Sequence, residues 1–232
     1  MLVLSVDTSS KSGSVALLRG STLLACLSDT SDEPYSSRLF RHLEAILREA
    51  AVSLPQIDLY AVSSGPGTFT GLRVSLTAVK GWAEVFGKPI APVSSLEAVA
   101  AQSTSRHALL APVLDAHRGQ IFGGLYEPSR NGLRRCTDDA VMTAAEYLEM
   151  VLSEAAGAPL VFLSPHPLVL RSALDASPFR TNPLQEVSPV LAPLVGRIGL
   201  ELANRGKLVD SLTLDAHYVR RSDAELLWKD PA

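Results

Sequence analysis

The sequence predicts an α/β protein made of two copies of a β-β-β-α-β-α unit. In the first copy, an apolar strand over residues 2–6 leads to Asp7 and a polar turn, and strands over residues 14–18 and 22–27 follow. An apolar strand over residues 109–114 leads to Asp115 and restarts the same order. This repeated strand, acidic residue and turn is the main reason to expect an internal duplication.

The composition indicates a globular protein with a packed core. Apolar residues make up 47% of the 232 residues and charged residues 19%, a balance that disfavours long disordered segments. We expect a first lobe over residues 1–103 and a second lobe over residues 104–232. The net charge of −3 does not indicate a broad basic face for nucleic acid.

Two features of the sequence predict a cytoplasmic protein that does not enter the membrane. Cys26 and Cys136 are isolated and lack the spacing of metal ligands, as is common in reducing compartments. The N-terminal apolar run meets an acid at Asp7 and has no basic region before it, so it reads as a strand and not as a signal peptide.

Residues 63–75, Ser-Ser-Gly-Pro-Gly-Thr-Phe-Thr-Gly-Leu-Arg-Val-Ser, join a strand over residues 58–63 to a helix over residues 70–86. Glycine permits backbone angles that other residues avoid, proline stiffens the turn, and Thr68 or Thr70 can cap the helix. Nucleotide phosphates often bind at such junctions, because N–H groups and the helix dipole converge there. The segment is therefore either a turn that requires glycine or a nucleotide-binding loop. Together with the end of the first strand, it supplies the candidate nucleotide-binding residues Asp7, Thr8, Gly65, Gly67, Thr68, Gly71 and Arg73.

The predicted helices over residues 36–50 and 70–86 carry more apolar surface than one sheet can cover. The helix over residues 70–86 has a second apolar stripe of Val74, Ala78, Trp82 and Val85, so we expect it to be covered on two sides. Heptad-like steps in both helices favour a four-helix bundle with a partner chain, although both stripes could instead be internal. The predicted interface residues are Leu39, Leu43, Ile46, Leu72, Leu76, Val79, Ala83 and Phe86.

The second copy is less clearly marked in the sequence. Strands are predicted over residues 109–114, 120–126 and, weakly, 132–136, followed by a helix over residues 144–156 and a strand over 160–163. A proline-rich loop then leads to a helix over residues 190–205, which is free to pack back on the first lobe.

Two such units resemble the architecture shared by actin, Hsp70 and the sugar kinases. In kinases and ATPases of that fold both halves hold the nucleotide, and a glycine-rich turn in the second half holds the adenosine. The corresponding turn here, residues 164–167, reads Ser-Pro-His-Pro and contains no glycine. This argues against a stand-alone ATPase or small-molecule kinase, which remains the alternative hypothesis.

Three motifs resemble those of the TsaB (YeaZ) family. Residues 65–73 read Gly-Pro-Gly-Thr-Phe-Thr-Gly-Leu-Arg, close to the family signature Gly-Pro-Gly-Ser-Phe-Thr-Gly-Leu-Arg. Residues 115–122 resemble its Asp-Ala-Arg-x-Gly-Glu-Val-Tyr segment, and residues 218–220 with 224–225 resemble its C-terminal Tyr-Leu-Arg and Ala-Glu. The sequence departs from the family pattern at Tyr35 and at His117.

The resemblance implies a non-catalytic subunit that TsaD requires to transfer a threonylcarbamoyl group to the N6 of the tRNA adenosine next to the anticodon. It implies TsaD and TsaE as partners and tRNA through the complex. The surplus apolar surface of the helices predicts a homodimer when the chain is alone. We expect no catalytic residues and no cofactor of its own, with ATP or ADP at the complex. The five histidines lack metal-ligand spacing, and a peptidase is disfavoured because no Gly-x-Ser-x-Gly motif is present.

Overall fold

The computed structural model describes residues 1–31, 33–130 and 132–219 and contains two β-sheets. Both sheets have the same strand order, third-second-first-fourth-fifth within each copy, which is the pattern expected of a duplicated unit. The α/β class and the repeated strand–helix order are therefore confirmed. The lobe boundary near residue 103 stays a prediction.

The first sheet contains five strands in the order β3-β2-β1-β4-β5. The hairpin strand β2 is antiparallel to β1, whereas β4 and β5 extend the sheet in parallel. Helix α1 precedes β4, helix α2 joins β4 to β5, and a short helix α3 follows β5. The bounds are β1 (Leu2–Asp7), β2 (Ser14–Arg19), β3 (Thr22–Ser28), α1 (Tyr35–Glu49), β4 (Leu59–Gly65), α2 (Phe69–Phe86), β5 (Ile90–Ser94) and α3 (Ser95–Ala100).

The second sheet follows the order β10-β7-β6-β11-β12 and carries an additional hairpin, β8–β9, on β6. Helices α4 and α5 flank β11, and helix α6 follows β12. The bounds are β6 (Leu109–His117), β7 (Gln120–Gly123), β8 (Tyr126–Ser129), β9 (Gly132–Arg135), β10 (Ala140–Thr143), α4 (Ala144–Ala155), β11 (Leu160–Ser164), α5 (Leu168–Asp175), β12 (Leu184–Glu186) and α6 (Ala192–Asn204).

Two assignments in the second copy need correction. The segment predicted as its third strand, residues 132–136, belongs to the added β8–β9 hairpin, and the third strand of the sheet is β10. The proline-rich segment predicted as loop contains β12. Both missed strands are only three or four residues long, which is too short for a hydrophobic pattern to mark them, and neither contains a fully buried residue.

The first sheet is covered by helices on both faces. Helices α1 and α2 pack on one face, and α6 with α3 packs on the other. Two buried hydroxyls hold the start of α6, since Ser14 Oγ accepts from the Ala192 N–H at 3.0 Å and Ser5 Oγ donates to the Ala192 carbonyl at 2.7 Å. Among the described residues, no helix is both long enough and apolar enough to cross a membrane.

The stripe assigned to a partner interface lies inside the monomer, so that prediction is wrong. The residues of α1 and α2 that face the sheet are at most 5% exposed, and Phe86 at the end of α2 is half-buried. Both stripes of α2 have helical spacing, and spacing alone does not tell which of them meets the sheet. The residues that were predicted to lie at the interface and instead lie in the core are Leu39, Leu43, Ile46, Leu72, Leu76, Val79 and Ala83.

Two glycines in helices provide a matched test of how closely α6 packs. A Cβ at Gly199 would lie 2.6 Å from Ala61 Cβ, whereas a Cβ at Gly81 in α2 would meet no atom within 4 Å. We expect Gly199→Ala to lower the free energy of unfolding by about 1–3 kcal/mol, because overpacking outweighs the gain in helix propensity. Gly81→Ala should raise it by about 0.5–1 kcal/mol. Urea unfolding measures both, and a stabilising Gly199→Ala would contradict the close contact.

Candidate functional site

The glycine loop between β4 and α2 packs closely on the β1–β2 hairpin. The Thr68 N–H donates to the Ser9 carbonyl at 2.8 Å, and Thr8 Oγ1 donates to the Gly71 carbonyl at 2.6 Å. A Cβ at Gly67 would lie 2.5 Å from Ser9 Cβ, and a Cβ at Gly71 would overlap the Thr8 carbonyl oxygen. These two glycines are therefore required by the approach of one backbone segment to another.

Gly65 meets a third segment, near the end of the described chain. Its φ of 129° lies in the region that favours glycine, and a Cβ there would lie 2.5 Å from the His217 carbonyl oxygen. The His217 N–H donates to the Ser64 carbonyl at 2.7 Å. The carboxyl end of β4 is thus covered by the C-terminal segment of this same chain.

Asp7 is fully enclosed at the carboxyl end of β1. Its Oδ1 accepts from the Ser9 N–H at 3.1 Å, whereas Asp7 Oδ2 and Ser63 Oγ have no hydrogen-bond partner among the described residues. Burial raises the pKa of the Asp7 carboxyl, and the hydrogen bonds from Ser9 oppose that rise. Burial therefore makes the charged form of Asp7 less favourable than it is in the unfolded chain, and Asp7 does not lie on an open surface.

Only part of the predicted nucleotide loop surrounds a pocket. A polar pocket of about 290 Å³ lies between the β1–β2 hairpin and the first turns of α1 and α2. Thr8, Thr68 and Gly71 line it, together with Lys11 and the ion-paired Arg38, whereas Asp7, Gly65, Gly67 and Arg73 do not. A nucleotide at these residues stays a prediction.

The expected side-chain cap of α2 is absent. Thr68 is the N-cap residue, but its hydroxyl accepts no capping hydrogen bond, and Thr70 lies inside the helix. The first turn of α2 contains no acidic residue. The positive end of the helix dipole is therefore not compensated by a carboxylate in that turn.

A larger, mainly apolar groove of about 570 Å³ runs between α1 and α2. Phe40 on α1 is 57% exposed and contacts Trp82 edge to face, with ring centroids 6.4 Å apart. Small residues form much of the outward side of α2, which includes Val85 at 75% exposure, and Trp82 lies where this side meets α1. Small side chains allow a second helix to approach closely. This outward stripe comprises Thr70, Val74, Thr77, Ala78, Gly81 and Val85.

Arg73 lines this groove and not the pocket beside the glycine loop. Its guanidinium lies 3.8 Å from the centroid of the Phe69 ring, and its Nε donates to Tyr218 Oη at 3.2 Å. The Phe69 and Tyr218 rings are 5.0 Å apart. Tyr218 was not among the predicted site residues, although it begins the Tyr-Val-Arg motif that carries the family resemblance.

The remaining polar candidates have local roles or lie outside the described residues. Asp115 Oδ1 accepts from the His117 N–H at 2.7 Å, so this carboxylate stabilises its own hairpin. Arg220 and the Ala224–Glu225 pair lie outside the described residues. Within residues 1–31, 33–130 and 132–219, no three His, Cys, Asp or Glu side chains are grouped as metal ligands.

Sequence comparison identifies the family. The family model described as TsaD, tRNA N6-adenosine threonylcarbamoyltransferase, matches residues 29–177. The chain belongs to this family. Within it, the chain is similar to a Bacillus subtilis protein named tRNA threonylcarbamoyladenosine biosynthesis protein TsaB, with 28% identity over 232 residues that cover 98% of each chain. The resemblance to TsaB (YeaZ) proteins drawn from the sequence is therefore confirmed.

Comparison with solved structures confirms the fold class. A Pseudomonas aeruginosa crystal structure, described as an uncharacterized protein with similarity to peptidase YEAZ, superposes with a TM-score of 0.80 at 26% identity. That match covers 94% of this chain and 99% of the other. The ethanolamine utilization protein EutJ of Carboxydothermus hydrogenoformans superposes with a TM-score of 0.50 at 11% identity, over 87% and 89% of the two chains. The actin-like architecture predicted from the duplicated unit is therefore correct.

The enclosure of Asp7 predicts a pH-dependent effect of Asp7→Asn. The asparagine oxygen can still accept from the Ser9 N–H, but the group no longer ionises. Because the folded state raises the pKa above the ordinary value of 3.8, wild-type stability falls as the pH rises through that interval. The variant should match the wild type in acid and be the more stable protein at neutral pH.

Urea unfolding between pH 3 and pH 7 measures this difference directly. A variant that loses stability relative to the wild type as the pH rises would contradict the raised pKa of Asp7 and would show that the folded protein stabilises the carboxylate.

Proposed function

We propose that this chain acts in tRNA threonylcarbamoyladenosine biosynthesis as the non-catalytic subunit that TsaD requires. TsaD would transfer the threonylcarbamoyl group to the N6 of the adenosine next to the anticodon. The family membership and the TsaB-named relatives support the pathway. The observation that carries the subunit role is the exposed face formed by the α1–α2 groove and the small outward residues of α2.

The partner that suits this face is a chain of similar architecture. The match of the TsaD family model to residues 29–177 supports a common fold, so TsaD can present an equivalent pair of helices. Two such pairs would form a four-helix bundle around a pseudo-two-fold axis. Without TsaD, two copies of this chain could use the same face, and the homodimer would then compete with the heterodimer. TsaE, tRNA and ATP or ADP would join through the complex, in the cytoplasm.

The packing of the glycine loop supports a role without independent catalysis. The backbone at Thr8, Ser9 and His217 fills the space beside the three glycines of the loop. A pocket is left beside Thr68 and Gly71. The second-half turn between β11 and α5 contains two prolines and no glycine. A stand-alone ATPase or kinase is the alternative, and robust ATP turnover by the purified chain would favour it.

Reconstitution tests the subunit role. TsaD, TsaE, threonylcarbamoyl-adenylate and tRNA are combined with and without this chain, and the modified adenosine is quantified by mass spectrometry. We expect modification only in the complete mixture. Equal modification in the mixture that lacks this chain would rule out the proposed requirement.

Substitutions at Gly81 test whether the outward stripe of α2 is the interface. Gly81→Leu should leave the chain folded, because leucine has the higher helix propensity and the position is open. Its side chain would separate the two helices and lower the affinity for TsaD by at least about tenfold, or 1.4 kcal/mol. Calorimetric titration measures the affinity, with Gly81→Ala as the matched control.

One result of the Gly81→Leu experiment would contradict the proposed interface. If the folded variant binds TsaD with wild-type affinity, the outward stripe of α2 is not the surface that contacts TsaD. Leu76→Asp is not suitable for the same test, because Leu76 lies in the core and the buried charge would unfold the chain.

A further inference from the structure

We propose that Arg73 anchors the partner by binding one of its carboxylates, and that Tyr218 is the positioning residue that holds Arg73 for this contact. The inference rests on the proposed function and specifies its chemistry. It extends the interface from the two helices to the C-terminal segment, residues 209–219.

The Arg73 guanidinium is held on two sides before any partner binds. Its plane contacts the Phe69 ring, and its Nε donates to Tyr218 Oη at 3.2 Å. Among the described residues, Arg73 makes no other hydrogen bond, and no carboxylate lies within 4 Å of it. A guanidinium fixed in this way keeps its two terminal nitrogens available for a paired contact with a carboxylate.

The surroundings of Arg73 favour a carboxylate on a protein over a phosphate. Arg73 is exposed and lines the groove beside Phe40 and Val74, so whatever reaches it must also cover an apolar surface. The pocket beside the glycine loop is lined by Thr68 and Gly71 but not by Arg73, and the space beside Gly65 is filled by the His217 backbone. The uncompensated first turn of α2 adds positive potential at the same end of the groove.

Tyr218 can act as a positioning residue because the segment before it is firmly attached. Val209 pairs with Ile90 at the edge of the first sheet, and Leu214 is buried in the core beneath α2. The His217 N–H then donates to the Ser64 carbonyl. The segment therefore delivers the Tyr218 ring to Phe69 from a fixed point, while the ring itself stays 41% exposed and can be part of the contact surface.

A double-mutant cycle with TsaD tests the proposal. The variants are Arg73→Ala, Arg73→Lys, Tyr218→Phe and the double variant Arg73→Ala/Tyr218→Phe, each checked for an unchanged thermal midpoint. We expect Arg73→Ala to weaken binding about tenfold or more and to reduce its salt dependence. Arg73→Lys should restore only part of the affinity, because lysine lacks the two-pronged geometry.

Tyr218→Phe keeps the ring and removes only the hydroxyl. It should weaken binding about threefold in the wild-type background and have no further effect once Arg73 is alanine, which is the signature of a residue that acts through another. Equal effects of Tyr218→Phe in both backgrounds would overturn the positioning role. Wild-type affinity of Arg73→Ala would overturn the anchor, while leaving the proposed subunit function intact if the wild type binds TsaD.

Two further measurements separate the other possible acceptors. Asp223→Asn/Glu225→Gln in the full chain removes two acidic residues that follow Tyr218 in the sequence, and loss of the Arg73→Ala effect in that background would overturn the partner assignment. Titration of the free chain with inorganic phosphate is expected to show no binding that depends on Arg73. Phosphate binding that Arg73→Ala abolishes would assign the residue to a phosphate instead.

Discussion

The close approach of the glycine loop to the β1–β2 hairpin determines where α2 begins and how it is oriented. Gly67 and Gly71 leave no space for a side chain, and the hydrogen bonds at Thr68 and Thr8 fix the loop on the hairpin. Because the first turn of α2 is attached there, the rotation of the whole helix about its axis is set. One stripe then faces the sheet, and the opposite stripe faces outward.

This constraint explains why the sequence predicts helix α2 but not which of its two stripes faces the sheet. The helix over residues 70–86 was placed within one residue of the observed Phe69–Phe86, since its apolar residues recur at helical spacing on two sides. Spacing cannot tell which side meets the sheet, because that depends on how the loop approaches the hairpin. Side-chain size is only a partial signal, because the second apolar stripe also contains Trp82. The inward stripe contains Leu72 and Leu76, whereas Gly81 lies on the outward one.

The same limit applies to the site residues. The sequence indicates that the glycines of the loop matter. It cannot tell whether a glycine makes room for a phosphate or for another backbone segment. The partners that distinguish the two cases, Ser9 and His217, lie far away along the chain. The role of Tyr218 likewise depends on its contact with Arg73, which is 145 positions away in the sequence. Local sequence patterns carry no information about such a contact. In the second copy, β10 is only four residues long, which is too short for its apolar residues to indicate a strand.

The packing of the loop also connects the fold to the proposed role. A phosphate-binding loop usually leaves its N–H groups and the space beside its glycines open for the ligand, and the bound nucleotide then stabilises the folded state. Here the hairpin and the C-terminal segment fill the space beside Gly65, Gly67 and Gly71, so contacts within the chain hold the loop and the start of α2 in place. A helix that is rigid without a ligand can present a constant surface to a partner, which reduces the entropic cost of association. The contacts that fill the space beside the glycines are therefore also the contacts that fix which face of α2 points outward.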